Sequence, residues 1–222
     1  MDSQLIVRIG ASLLIAYLLG GIPWALVVGK GLYGIDVRTV GSGNLGATNV
    51  MRALGPTAGV ITLLLDAAKG AVAVAAAWAL VPSTVFGTSV HEWAMIGATM
   101  AAMLGHSYSP YIGFKGGKGV ATASGALLVL TPLAWPFLLG TWLVIVAIWR
   151  IVSLGSVVIA VEYPLLCLWL YPGNWPIIGF AFVAAALVIW RHHANIRRIV
   201  RGEERKISLR SRRDVAKRED GS

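Results

Sequence analysis

Residues Gly119–Trp149, GVATASGALLVLTPLAWPFLLGTWLVIVAIW, carry no charged side chain. A helix needs about 20 apolar residues to cross the hydrocarbon core, so this run is too long for one span and short for two. Thr131-Pro132 near its middle supplies a break, because proline disfavours helix at the residue before it. Read as two short spans, 119–132 and 133–149, the run fixes the parity of the whole chain. Outward from it, apolar runs near 5–28, 57–80, 93–112, 156–171 and 174–190 complete a set of seven. Tyr171-Pro172-Gly173-Asn174 is the turn that divides the last two. The first run is too long for a signal-peptide core and reads as a retained span. The expected fold is an all-α, polytopic transmembrane bundle of seven spans, with five or six longer spans as the alternative.

Composition agrees. Of 222 residues, 57% are hydrophobic and 13% charged, with mean hydropathy +0.73, whereas a soluble domain carries about a quarter charged residues. The net charge of +9 does not indicate nucleic acid, because 11 of the 19 Lys and Arg follow Trp190. A basic tail beside a membrane reads as cytoplasmic topology and attraction to anionic lipid, or as a merely solubilising end. Seven spans put loops 29–56, 106–118 and 150–155 on the side of the C-terminus, and these contain Lys30, Arg38, Arg52, Lys115, Lys118 and Arg150. The opposite loops, near 81–92, 132–133 and 172–173, contain no Lys or Arg. The positive-inside rule then places the C-terminus in the cytoplasm and the N-terminus outside. Cys167 is the only cysteine and lies in an apolar run. It excludes an intrachain disulfide and a cysteine-based metal site.

Three polar segments interrupt the apolar chain, all on the cytoplasmic side of this topology. Gly41-Ser42-Gly43-Asn44-Leu45-Gly46 formally matches GxGxxG, but that fingerprint has meaning only inside a βαβ unit. Its glycines still let backbone N–H groups approach a ligand, while Ser42, Asn44, Thr48 and Asn49 add short polar side chains. A helix starting at Ala47 would favour an anion at its N-terminus, and Arg52 offers a fork for phosphate. The bland alternative is a flexible linker. Lys115-Gly116-Gly117-Lys118-Gly119, preceded by His106, lacks the spacing of a Walker A loop, so nucleotide hydrolysis is not expected. Two lysines among glycines at a helix start make an anion cradle all the same, or else a basic topogenic loop. His192, Asn195 and Arg198 recur at spacing three and share a helix face, with His193 turned to the surface. A solvated helix end is the alternative there.

Asp66 and Lys69 stand one turn apart inside an apolar run, where ionisable residues are costly and functional by default. Glu162 is similarly placed without a partner nearby in sequence. Ser153 and Ser156 form a fourth polar turn on the same side, and Glu203 and Glu204 offset neighbouring arginines. The four histidines make no metal cluster with carboxylates or cysteine, so no catalytic metal and no cofactor are expected.

Gly-Ser-Gly-Asn-x-Gly-Ala-Thr-Asn-x-x-Arg, Asp-x-x-Lys-Gly, Gly-His-x-Tyr, Phe-Lys-Gly-Gly-Lys-Gly-Val-Ala-Thr and His-x-x-Asn-Ile-x-Arg occur in that order. Together, over about residues 11–204, they resemble the bacterial acyl-phosphate:glycerol-3-phosphate acyltransferase family. That resemblance implies a seven-span inner-membrane enzyme of phospholipid synthesis with a cytoplasmic active site. It would transfer a fatty acyl group from acyl phosphate to the 1-hydroxyl of glycerol 3-phosphate, giving lysophosphatidic acid and phosphate. Residues 1–204 would be one acyltransferase domain and 205–222 a basic tail, expected to be disordered or at the membrane surface.

Carried over position by position, the catalytic set is Ser42, Lys115, His192 and Asn195, with Lys115 as the main electrostatic clamp. Substrate phosphates would be held by Gly43, Asn44, Gly46, Thr48, Asn49, Arg52, His106, Gly116, Gly117, Lys118, Ser153, Ser156 and Arg198. Asp66, Lys69 and Glu204 would support them. Two routes remain for the proton: His192 as base, or an oxygen of the acyl phosphate, which the lack of a carboxylate to orient His192 favours. Holding two substrates in attack geometry can remove several kcal/mol of barrier without covalent catalysis. The rival reading is an anion or phosphate transporter, with the basic loops selecting its cargo. Oligomeric state leaves no mark on the sequence.

Overall fold

The computed structural model describes residues 3–82 and 90–207, and within them the regular elements are helices joined by loops, with one isolated bridge between Ser109 and Lys115. The helices are α1 (Ser3–Gly21), α2 (Trp24–Tyr33), α3 (Ala47–Leu54), α4 (Pro56–Leu80), α5 (Val90–Ser107), α6 (Val120–Leu130), α7 (Trp135–Trp149), α8 (Val152–Leu170), α9 (Trp175–Arg191) and α10 (His193–Val200). The break expected at Thr131-Pro132 is present between α6 and α7. The turn expected at residues 171–174 separates α8 from α9, where the Asn174 side chain accepts from Ile177 N and caps the new helix.

The first apolar run departs from expectation. Instead of one helix over 5–28, the chain breaks at Ile22-Pro23, where proline cannot continue the backbone ladder. Ile22 O at the break accepts a hydrogen bond of 2.7 Å from Lys69 Nζ. By length and composition, Ser3–Tyr33, α4 and α8 can cross a membrane, and the bent pair α9–α10 makes a possible fourth. Helices α6 and α7, with 11 and 15 residues, rise roughly 16 and 22 Å, short of a core about 30 Å thick.

Helix α4 runs through the bundle, packed on α1, α3, α5 and α6. Its Gly70 lies against the backbone of Thr122, and Gly125 of α6 lies against that of Ala67, so a Cβ at either position would collide. Small residues of this kind allow the backbone approach on which helix packing in lipid depends. The main apolar core joins α5, α6, α8 and α9 through Met103, Leu127, Tyr163, Cys167 and Phe180. Leu14, Leu64, Trp78, Leu143, Trp169 and Val183 point outward, as lipid-facing side chains do.

Inside α4, Lys69 Nζ lies 2.8 Å from Asp66 Oδ1, and both side chains are buried. His106 Nδ1 of α5 stands 3.6 Å from the same oxygen and 3.2 Å from Thr122 Oγ1. Glu162 also finds a partner, the hydroxyl of Thr141 at 3.0 Å.

Candidate active site

The first polar segment folds around one side chain. Asn49 on α3 accepts from Ser42 N at 2.8 Å and Ser42 Oγ at 3.1 Å. Its amide donates to Val37 O and Val40 O. With both ends engaged and almost no exposure, Asn49 is a brace that fixes Ser42. Gly46 stands at the N-cap of α3. Arg52, at the other end of this helix, donates through Nη2 to Arg205 O at 2.7 Å.

The second segment is pressed against α5. Gly117 N donates to His106 O at 3.1 Å, and a Cβ on Gly116 or Gly117 would collide with His106. Phe114 turns with φ 57° and Lys115 bridges to Ser109. These features send Lys115 to the surface, outside the cavity lining. Lys118, immediately before α6, is the lysine that faces inward, and its ammonium donates to Asn195 Oδ1. Burial lowers its pKa to about 8; Glu204 opposes the shift, while Arg198, Arg52 and Arg191 add to it. Of the two lysines, Lys118 lines the cavity and Lys115, the expected clamp, lies outside it.

The third segment is not one continuous helix face. The chain bends by 64° between α9 and α10, with His192 at the break. His192 Nδ1 bonds Val188 O at 2.8 Å; only a protonated Nδ1 can do so, which leaves Nε2 as the acceptor. Burial, helped by the Lys118 charge, lowers its pKa to about 4, so the imidazole is neutral. His193 is exposed, as expected.

Tertiary contacts gather the remaining residues around Glu204, which does more than offset arginines. Its carboxylate accepts from Ser153 Oγ at 2.9 Å, Asn195 Nδ2 at 2.7 Å and Arg198 Nε at 2.6 Å. Ile207 N then donates to Arg150 O at 2.8 Å. Residues 205–207 are thus tied to the helical body, and the remainder of the basic tail, 208–222, lies outside the described residues.

One cavity of about 700 Å³ joins these elements. Ser42, Asn44, Gly46, Thr48, Asn49, Arg52, Asp66, His106, Lys118, Ser153, Ser156, His192, Asn195, Arg198 and Glu204 are among its lining. Leu127, Leu138, Trp142, Ile159, Tyr163 and Phe180 supply apolar lining from α6, α7, α8 and α9. Gly43, Lys69, Lys115, Gly116 and Gly117 are not in the lining. Gly43, Gly116 and Gly117 shape the loops, and Lys69 acts from behind through Asp66. Arg191, Ser124 and Arg205 line the cavity without having been read from the sequence. Arg191 directly precedes the third motif, and its charge is easily absorbed into the topology count. Among the described residues, no group of three His, Cys, Asp or Glu side chains is gathered for a metal ion. Chemically, the site combines fixed cations, a neutral imidazole and an apolar slot, which suits an amphiphilic anion.

The sequence model of the glycerol-3-phosphate acyltransferase family matches residues 10–202. The chain is 46% identical over 202 residues to "Glycerol-3-phosphate acyltransferase 2" of Moorella thermoacetica, covering 90% of this chain and 98% of that protein. It is 40% identical to the glycerol-3-phosphate acyltransferase of Thermosynechococcus vestitus, covering 89% and 94%. Among solved structures it resembles PlsY (YgiH), an integral membrane glycerol 3-phosphate acyltransferase, in its glycerol 3-phosphate form. There the TM-score is 0.78 at 39% identity, covering 90% of this chain and 96% of that one. The lysophosphatidic acid form of PlsY gives 0.76 at 38% identity.

Proposed function

The chain belongs to the glycerol-3-phosphate acyltransferase family, and from that premise we propose that it acylates the 1-hydroxyl of glycerol 3-phosphate with acyl phosphate as donor. The observation that carries this reading is one cavity lined both by the cations Arg52, Lys118, Arg191 and Arg198 and by a set of large apolar side chains. A fatty acyl phosphate has the same two-part character, and glycerol 3-phosphate needs a second set of phosphate donors beside it.

In this reaction the 1-hydroxyl oxygen attacks the acyl carbonyl carbon, a C–O ester bond forms, and the C–O bond to phosphate breaks. Phosphate leaves with the electron pair and takes the hydroxyl proton, giving lysophosphatidic acid and inorganic phosphate. Lys118, Arg52 and Arg198 hold phosphoryl charge, while Asn195 fixes the Lys118 ammonium. Neutral His192 accepts the hydroxyl at Nε2 and aims it. A group with a pKa of about 4 is a poor base near neutral pH, so the departing phosphate is the better proton acceptor. The acyl chain lies among Leu138, Trp142, Tyr163 and Phe180. The transporter reading has less support, since the matching family model and the relatives are acyltransferases.

The chain crosses a bacterial inner membrane seven times, counting Ser3–Tyr33 as one span with α4 to α9, the short α6 and α7 being accommodated by local thinning of the bilayer. The N-terminus is outside, and the site and C-terminus face the cytoplasm. The positive charge of the loops on one side supports this orientation.

The test is turnover by purified protein given glycerol 3-phosphate with acyl phosphate, acyl-CoA or acyl carrier protein. Lysophosphatidic acid formed from acyl phosphate alone is the expected result. Product from another donor only would overturn the donor assignment, and phosphate uptake without any product would favour transport. His192→Ala should raise KM with kcat largely kept. A collapse of kcat alone would make His192 the base.

A further inference from the structure

Arg191 is absent from the motifs, yet its guanidinium lines the cavity beside His192. It is held in place on two sides. Nη2 donates to Gly117 O at 2.7 Å, and the guanidinium carbon sits 5.3 Å from the centre of the Tyr108 ring. Its Nε is buried without a hydrogen-bond partner. Arg52, which lines the same cavity, shows the same defect at its own Nε. Buried unpaired donors are rare and costly, more so on a charged group. Both residues line the same cavity, so an anion entering it meets two guanidiniums whose positive charge is already held in place. Lys118 feels the positive charge of both, so the three cations form one electrostatic unit with Glu204 as its nearby carboxylate.

Resting on the acyltransferase reading, we propose that Arg191 is a phosphate-binding residue, seating a tetrahedral phosphoryl group between itself and Lys118. Its fork offers paired N–H donors to two phosphoryl oxygens, while the Gly117 carbonyl and the Tyr108 face preset its orientation. The two phosphorylated substrates give this ligand chemistry two sources, and the test separates them.

Arg191→Gln and Arg191→Lys are assayed for KM of glycerol 3-phosphate and of acyl phosphate separately. Arg191→Gln should raise one of the two by about ten-fold or more, the scale of one lost charge-assisted hydrogen bond, with the other changed less. The substrate that responds identifies the phosphate seated there. Arg191→Lys keeps the charge and loses the fork, so it should raise the same KM by a smaller factor. Should Arg191→Gln fail to fold, Arg191→Lys decides alone. Unchanged values for both KM, with only kcat reduced, would mean that Arg191 merely ties the glycine loop and would overturn the proposal. Protection against heat unfolding by inorganic phosphate gives a readout free of the donor question. Wild-type protein should be protected, and Arg191→Gln clearly less so. Equal protection of both would also overturn the seat. Wild-type protection without turnover from acyl phosphate would instead count against the reaction while leaving the seat in place.

Discussion

Raising the pH removes a charge from the centre of the site, and the structure says where and by how much. Lys118 has a pKa of about 8 because it is buried and because Arg198, Arg52 and Arg191 stand near it, with Glu204 holding part of the charge in place. The ammonium is then about 90% protonated at pH 7 and about 10% at pH 9. Phosphate binding favours the charged form, so a bound dianion raises this pKa and the free enzyme binds progressively less well above it. The limiting loss is about ten-fold in kcat/KM per pH unit if only the charged form binds. It levels off once the value of one charge-assisted hydrogen bond is lost, at about 10- to 100-fold. The second ionisation of the substrate phosphate, near pH 6, acts on the acid limb and leaves this region clear. The assay is kcat/KM for glycerol 3-phosphate from pH 6.5 to about 9.5, in wild type and Lys118→Arg. Arginine keeps its proton throughout, so the basic fall should disappear in that variant even where its absolute rate is lower. A flat wild-type profile, or the same fall in both proteins, would refute the argument.

Glu204→Ala should destabilise the fold by about 3 kcal/mol, the lower end for opening a buried pair, because Arg198 keeps some solvent. Burial raises the Glu204 pKa, but the bonds from Asn195, Arg198 and Ser153 outweigh it and the net shift is downward. Its contribution is therefore present above the unfolded carboxyl value and lost as pH falls through the lower folded one. Chemical unfolding of the two proteins at pH 7 and at acid pH measures both. In the slot, Phe180 and Tyr163 meet edge to face at 6.4 Å. Phe180→Trp should cut kcat/KM for a long-chain acyl phosphate about ten-fold more than for a short one, and a uniform loss across chain lengths would place the acyl chain elsewhere.

How much of this the sequence announces depends on whether the signal is local. Pro132 and the Tyr171–Asn174 turn act on their own neighbours, so those breaks were readable in advance. Pro23 has the same chemistry, but hydropathy runs smoothly across it and only the Lys69 contact to Ile22 O shows that the break is used. The two lysines of the glycine loop make the sharper case. Lys115 and Lys118 are equivalent by spacing and charge, and nothing within the segment ranks them. The choice is made by Phe114 at positive φ and by Gly116 and Gly117 lying flat on His106, and His106 belongs to another helix. Asn49 looks like a ligand in sequence and is a brace in space, because Val37 O, Val40 O and Ser42 consume its donors and acceptors. Glu204 looks like a surface counter-charge and holds three segments together. The apolar slot has no motif at all, since its walls come from α6, α7, α8 and α9 at no common period. Short local motifs identify which groups can bind phosphate. Which of them reach the cavity is decided by contacts between helices far apart in the chain, and Arg191, held by Gly117 and Tyr108, is the residue for which that distinction matters most.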